Sequence, residues 1–365
     1  MRRAVFAIPG DLDTVTGGYL YEKRLLEGLR AVGTDTAHLR LGGSFPDPSP
    51  ADHAHAARVL DAIDPQTPII LDGFVFGSME PATLASLRAP FVGMVHHPLA
   101  REEGLSEERR AHLLRTERGN VALAAAILVP SPHTARILVE EYDADPDRVI
   151  VARPGTDRVA ALREPSHPPL ILSIGIQHPR KGHDVLLRAL ARMTDLPWTA
   201  VVVGAEWDAA HAADLRALRD DLGLEGRVRL AGLVAAHERD ALYRSASVFA
   251  LATRYEGYGL VFDEALSWGL PVVSCRTGAV PDTVPPDAGI LVPPDDPVAF
   301  AEALRTVLGD SQRRAALAAA ASVAGARLPG WLDTARTAQA VLDRLAWAGR
   351  RGCRGAHVDG STLGA

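Results

Sequence analysis

Short apolar runs recur along this chain, each separated from the next by a longer stretch with helical spacing, and the whole series occurs twice. In the first half the runs are RAVFAIP (3–9), PIILDGF (68–74), FVGMVHH (91–97), AAILVPS (125–131) and RVIVARP (148–154). Between the first two lies GYLYEKRLLEGLRAVG (18–33), with apolar residues at steps of three and four, the period of a helix with one buried face. Uninterrupted apolar runs are strands covered on both faces. Their alternation with helices predicts parallel sheets built from right-handed crossovers. The pattern breaks at RVAALREPSHPP (158–169), a proline-rich linker. It then resumes with PLILSIG (169–175), WTAVVVG (198–204), RVRLAGL (227–233), SVFALAT (247–253), PVVSC (271–275) and AGILVPP (288–294).

This reading divides the chain into an N-terminal α/β domain at 1–163 and a second at 168–327. A helix at about 331–350 is expected to pack back on the first domain, and a Gly-rich tail at 351–365 is expected to be flexible. A length of 365 residues agrees with two cores rather than one. The formal charge of −6, with both signs interspersed, argues against nucleic acid as the main partner. Two cysteines, Cys275 and Cys353, give neither a disulfide framework nor a zinc site, so a cytoplasmic protein is expected. The longest apolar stretch, VALAAAILVP (121–130), is too short to span a bilayer, which leaves peripheral membrane contact as the only membrane role considered.

Four segments carry chemistry. In TRYEGYGLVFDEALSWGLP (253–271), a strand end is followed by Glu256, a Gly257–Tyr258–Gly259 turn, and a helix opening near Gly259 that carries Glu264 in its second turn. Glycines permit close backbone approach, and a helix N-terminus offers free N–H groups to an anion. An acid on either side of an anion site suits a diphosphate flanked by two hydroxyl-bearing groups; taken alone, the same spelling also fits two solvated acids on a turn. In SIGIQHPRKGHDVLLRAL (173–190), Arg180 and Lys181 stand where a helix opens. Cations are unfavourable there unless an anion is bound, although an exposed basic pair is the plainer alternative. In IPGDLDTVTGGYLYEKRLLEGL (8–29), Gly17 and Gly18 occupy a strand-to-helix loop without the full G-x-G-x-x-G spacing. In FVGMVHHPLARE (91–102), His96 and His97 follow a buried strand, and at most one of them should face a ligand.

Together these segments resemble glycosyltransferase family 4, retaining enzymes of the GT-B fold, from the Gly17–Gly18 loop to LVPPDDPVAFAEAL (291–304). EGYGLVFDEALSWGLPVV is the most specific part. The resemblance implies two Rossmann-like domains facing across a cleft and a nucleotide diphosphate sugar as donor. The acceptor would be a glycan, a lipid-linked molecule or a small molecule, and no metal is expected. Glu256 would bond the donor sugar, Glu264 the ribose, and Arg180 and Lys181 the diphosphate. The Gly18 backbone, with that of Gly257, Tyr258, Gly259 and Leu260, would approach the diphosphate, and His96 would sit near the reacting sugar. Two departures bear on the donor contacts: Gly175–Ile176 where the family often has Gly-Arg, and TGAVPD where Gly-Gly precedes Pro-Glu.

Three rival readings remain. Asp11–Leu12–Asp13 and Asp143–Ala144–Asp145 have the D-x-D spelling of metal-dependent transferases. Tandem α/β units also suit a nicotinamide-dependent oxidoreductase, although the glycine fingerprint is incomplete. A non-catalytic nucleotide-binding scaffold is the third.

Overall fold

A computed structural model describes residues 2–14, 16–102, 104–159 and 163–355, with side chains as far as 345. The chain separates into two compact units. One comprises the residues up to Gly155 together with those from Pro329 onward; the other is Thr156–Leu328. Residues 356–365 of the expected tail lie outside the described residues. Residues 351–355 belong to the last helix, Trp331–Gly355, which is therefore longer than its apolar spacing indicates.

The first unit holds a six-stranded parallel sheet. Its strands are β1 (Arg2–Pro9), β2 (Thr34–Leu41), β3 (Ile69–Leu71), β4 (Phe91–Met94), β5 (Ala126–Val129) and β6 (Val149–Val151), in the spatial order β2-β1-β3-β4-β5-β6. Side chains along β1 alternate between the two faces, as strand geometry requires. Ala4, Phe6 and Ile8 join one hydrophobic cluster and Ala7 joins the other. The returning helix Trp331–Gly355 closes the first of these clusters. Its Ala335, Ala338, Val341 and Leu342 pack with Tyr21, Leu25, Leu26 and Leu29 of the helix Gly17–Ala31. A Cβ on Gly28 would come within 2.8 Å of the Ala335 Cβ, so glycine lets the two helices approach closely.

The second unit repeats the plan with β7 (Leu170–Ile174), β8 (Thr199–Val203), β9 (Val228–Gly232), β10 (Ala246–Leu251), β11 (Val272–Cys275) and β12 (Gly289–Val292), in the order β12-β11-β10-β7-β8-β9. Along β10, Val248 and Ala250 face one cluster while Phe249 and Leu251 face the other. Both sheets are thus buried on both sides, which explains why most strands read as unbroken apolar runs.

The structure departs from that reading at β2. TDTAHLRL, an edge strand bonded only to β1, intersperses polar and apolar residues, and no apolar run marks it. Strands are also shorter than their apolar runs. Residues 73–74 of PIILDGF open the helix Gly73–Ser78, and His96 and His97 lie beyond the end of β4.

One buried acid fixes the chain just after those histidines. Glu117 accepts the Leu99 amide at 2.6 Å through Oε1 and the Ala100 amide at 3.0 Å through Oε2, holding the 3-10 turn Leu99–Arg101. Burial pushes its carboxyl up to about 7, against the pull of those two amides and of Tyr142. We expect Glu117→Gln, which sets an amide donor against a backbone donor, to cost about 1–3 kcal/mol in urea unfolding at neutral pH. An acid raised by folding is protonated in the native chain while the unfolded chain has already ionised. Stability should therefore fall as pH rises from the ordinary carboxylate value towards 7, and that part of the slope should vanish in the variant.

Candidate active site

Where the strand order of a parallel sheet reverses, successive helices leave towards opposite faces and a crevice opens beyond the C-terminal strand ends. In the second unit the reversal falls between β7 and β10. The loops that leave these two strands carry Arg180 and Lys181 on one side and residues 253–259 on the other.

The two loops are joined by buried charge. Lys181 Nζ lies 2.6 Å from Glu256 Oε1, and Arg180 Nη1 lies 3.9 Å from Glu256 Oε2. Arg180 also donates to the Tyr255 carbonyl at 3.1 Å, and the Thr253 hydroxyl sits 3.1 Å from Glu256 Oε1. Glu256 is only 4 % exposed, so it is not a solvated acid on a turn. Burial alone would raise its pKa, but Lys181 and Arg180 outweigh burial and hold it below the usual carboxylate range. Lys181 is shifted down by burial and by Arg180, which together exceed the upward pull of Glu256.

Arg180 and Lys181 do not stand in the first turn of the helix. They form a 3-10 turn, Pro179–Lys181, and Gly182 then leads into the helix His183–Ala191. The first anion these cations meet is the chain's own Glu256, so their presence near a helix start does not by itself require a bound anion.

The turn after Glu256 is held equally firmly. Gly259 has φ +87°, and a Cβ there would come within 2.5 Å of the Phe262 ring. Gly278, at φ +52°, packs against the Glu256 backbone, where a Cβ would lie 2.2 Å from the Glu256 carbonyl oxygen. Tyr258 is buried and its hydroxyl meets the Asp263 carboxyl, so its side chain serves the turn. The helix Leu260–Ser267 starts directly from Gly259, and no side chain caps it among the described residues. Its first amides, from Leu260 on, are therefore available to an anion. In the second turn, Glu264 Oε2 accepts the Tyr243 hydroxyl at 2.7 Å. Burial raises the Glu264 carboxyl, with Arg239 and Tyr243 opposing.

The first unit has its own strand reversal, between β1 and β3. Gly17 and Gly18 form the first residues of the helix after β1 rather than a loop before it, and Thr16 caps that helix. A Cβ at Gly18 would sit 3.6 Å from the His96 ring, so these two expected site residues adjoin. His96 Nε2 lies 3.3 Å from Glu22 Oε1, and Tyr21 meets the imidazole edge-on with ring centres 5.3 Å apart. Asp72, directly after β3, accepts the Phe74 amide at 2.8 Å and the Val75 amide at 3.2 Å through Oδ1. His97 turns instead to Glu102.

Among the described residues, Glu22, Asp72 and His96 are the one group of three acids or imidazoles whose ligand atoms all lie within 4.8 Å of one another. Two carboxylates and an imidazole could in kind hold a divalent cation. However, Asp72 Oδ1 is already committed to two amides, and the Asp72 and Glu22 carboxyls lie within 4.8 Å of each other. A proton shared between the two carboxyls is the alternative to a cation there. The D-x-D spellings serve local structure: Asp11 Oδ1 accepts the Asp13 amide, Asp13 pairs with Lys23 at 2.5 Å, and Asp145 caps the turn Pro146–Arg148.

Sequence reasoning missed Glu22, Asp72, Tyr243 and Thr253. Glu22 reads as one more charge on an amphipathic helix, yet it is 1 % exposed on the helix's buried side. The Asp-Gly following an apolar run was the available signal for Asp72, as a helix cap at a strand end.

Two family models match the chain, "Glycosyltransferase Family 4" over residues 19–159 and "Glycosyl transferases group 1" over residues 168–310. A D-inositol 3-phosphate glycosyltransferase from Xylanimonas cellulosilytica is 35 % identical over 249 residues, covering 63 % of this chain and 59 % of that protein. The enzyme of the same name from Corynebacterium diphtheriae is 31 % identical over 281 residues, covering 72 % and 65 %. The matches thus span roughly three fifths of these relatives' own length. Among solved structures, a sucrose-phosphate synthase from Thermosynechococcus elongatus superposes with a TM-score of 0.76 at 22 % identity, covering 97 % of this chain and all of that one. Anabaena HepE in complex with UDP-glucose gives 0.74 at 17 % identity, covering 95 % and 100 %. At such identities these structures establish the two-domain GT-B fold. The first α/β unit thus matches the model of glycosyltransferase family 4 and the second that of the glycosyl transferases group 1.

Proposed function

We propose that this protein is a retaining glycosyltransferase that moves a hexosyl group from a nucleoside diphosphate sugar to an acceptor hydroxyl without a metal ion. The observation that carries the reading is the Lys181–Glu256 pair, with Arg180 beside it, at the strand reversal of the second unit and next to the open N-terminus of the helix Leu260–Ser267. Breaking the anomeric C–O bond leaves negative charge on the departing diphosphate. Lys181, Arg180 and the helix amides are positive groups already in place to stabilise that charge.

The same geometry divides the work between the two acids. Glu256, held ionised by its cations, accepts from hydroxyls of the donor sugar. Glu264 keeps one oxygen for Tyr243 and offers the other to the ribose. The turn from Gly257 to Leu260 approaches the diphosphate through its backbone. In the first unit Gly18 lies against His96. His96 serves a sugar hydroxyl in the first unit. Burial holds its imidazole below the ordinary pKa, with Asp72 opposing, so it is neutral at pH 7 and able to accept a proton. No enzyme nucleophile is required if the leaving phosphate helps deprotonate the acceptor on the same face of the sugar.

The family models and the names of the relatives support transfer over an oxidoreductase or a scaffold. The relatives named for inositol 3-phosphate favour a small phosphorylated polyol as the first acceptor to try, ahead of a glycan or a lipid-linked acceptor. No helix among the described residues is long and apolar enough to cross a membrane, so any membrane contact is peripheral in this reading.

The test is transfer by the purified protein from a panel of nucleotide sugars, with the anomeric configuration of the product read by NMR. Retention is expected, and inversion would remove the mechanism. Lys181→Ala should lower kcat by about 10²–10³-fold, as removal of a preorganised charge stabiliser does elsewhere. Glu264→Ala should act mainly on the donor KM, through the lost ribose contact. Activity should persist in EDTA; a loss restored by a divalent cation would overturn metal independence.

A further inference from the structure

We infer that Glu22 is a positioning residue for His96: lying beside the Asp72 carboxyl, it accepts the His96 Nε2–H and so presents Nδ1 as the free, basic nitrogen. The inference rests on the reading that His96 serves a sugar hydroxyl, and it specifies which nitrogen does so.

The argument starts from what surrounds the imidazole. Glu22 and Asp72 are 1 % and 4 % exposed, and their carboxyls lie within 4.8 Å of each other and of the His96 ring. Two carboxylates in contact away from water cannot both be ionised without a counter-charge, so they hold a proton between them. The facing titratable groups come from three directions. Glu22, Tyr19 and Tyr21 are on the helix Gly17–Ala31, Asp72 follows β3, and Asp11 follows β1 and acts on Tyr19. Among the described residues, the charged groups that shift Glu22, Asp72 and His96 are one another, with no lysine or arginine among them.

Asp72 is the better seat for the shared proton. Burial and the neighbouring Glu22 both raise it well above the usual range, whereas burial raises Glu22 to about 7 with Asp72 pulling it back. The Glu22 carboxylate then accepts from His96. Its Oε1 meets His96 Nε2 at 3.3 Å, while its buried Oε2 has no hydrogen-bond partner among the described residues. A carboxylate only accepts, so the His96 nitrogen facing it carries the hydrogen. His96 keeps a side-chain exposure of 24 %, and its Nδ1 has no hydrogen-bond partner among the described residues. That nitrogen is left for a ligand hydroxyl, as in carboxylate–histidine pairs elsewhere, where the partner fixes both tautomer and ring orientation.

The experiment uses the full chain with 15N,13C-labelled histidine, the His96 signals being assigned by their loss in His96→Gln. The expected result at pH 7 is a neutral ring with hydrogen on Nε2 and an unprotonated Nδ1. Glu22→Leu, of similar bulk, should give a mixture of tautomers and lower kcat by about 10–100-fold with the donor KM unchanged. Glu22→Gln, whose carboxamide oxygen can still accept from Nε2–H, should restore the tautomer and most of kcat. A wild-type ring bearing hydrogen on Nδ1 overturns the inference with no variant needed. So does an unchanged tautomer in folded Glu22→Leu, or a shift of the wild-type signals on adding EDTA, which would assign the trio to a cation. Unaltered transfer by His96→Gln would instead remove the histidine from the reaction and leave the tautomer result standing.

Discussion

A parallel sheet can send its crossover helices to only one face for as long as successive strands are laid down in one direction. Both units of this protein reverse direction once, between β1 and β3 in the first and between β7 and β10 in the second. At each reversal the backbone withdraws from the strand ends on both sides, so side chains there are neither packed by a helix nor fully in water. Every expected site residue, together with the acids found beside them, lies on or next to the segments that leave the strands around these reversals.

The two units handle buried charge there in opposite ways. The second neutralises Glu256 with cations, keeping it ionised and the region rich in positive charge. That arrangement costs desolvation but leaves cations and amides aimed at a place where negative charge can develop. The first gives its two acids one proton and supplies no cation. The result is a group around one imidazole that keeps a single negative charge between its two acids. One chemistry suits stabilising a leaving diphosphate, and the other suits moving a single proton.

How far the sequence could be read follows from what each residue depends on. Eleven strands are marked by apolar runs, most of them because burial on both faces demands it; β2, with polar residues interspersed along it, is not. Lys181 and Glu256 were legible as site residues from the glycines and the helix starts beside them. That they pair with each other was not, since 75 residues of chain separate them. Gly18 and His96 were each legible alone, and only the packing of the first helix on the end of β4 makes them neighbours. Glu22 was the hardest to see. A glutamate amid Tyr, Lys and Arg on an amphipathic helix is ordinarily solvated, and its burial depends on Asp72 and His96 arriving from other strands.

The sequence by itself determined the number of units, the parallel character of their sheets, and the glycine-flanked segments able to approach an anion. These follow from local periodicity and backbone freedom, which need no distant partner. Tertiary structure decided which acid meets which base, which carboxyls share a proton, and which nitrogen of His96 is left free. Those outcomes depend on distances of about 3 Å between side chains on different strands, where burial makes charge and proton position strongly sensitive to the nearest neighbour.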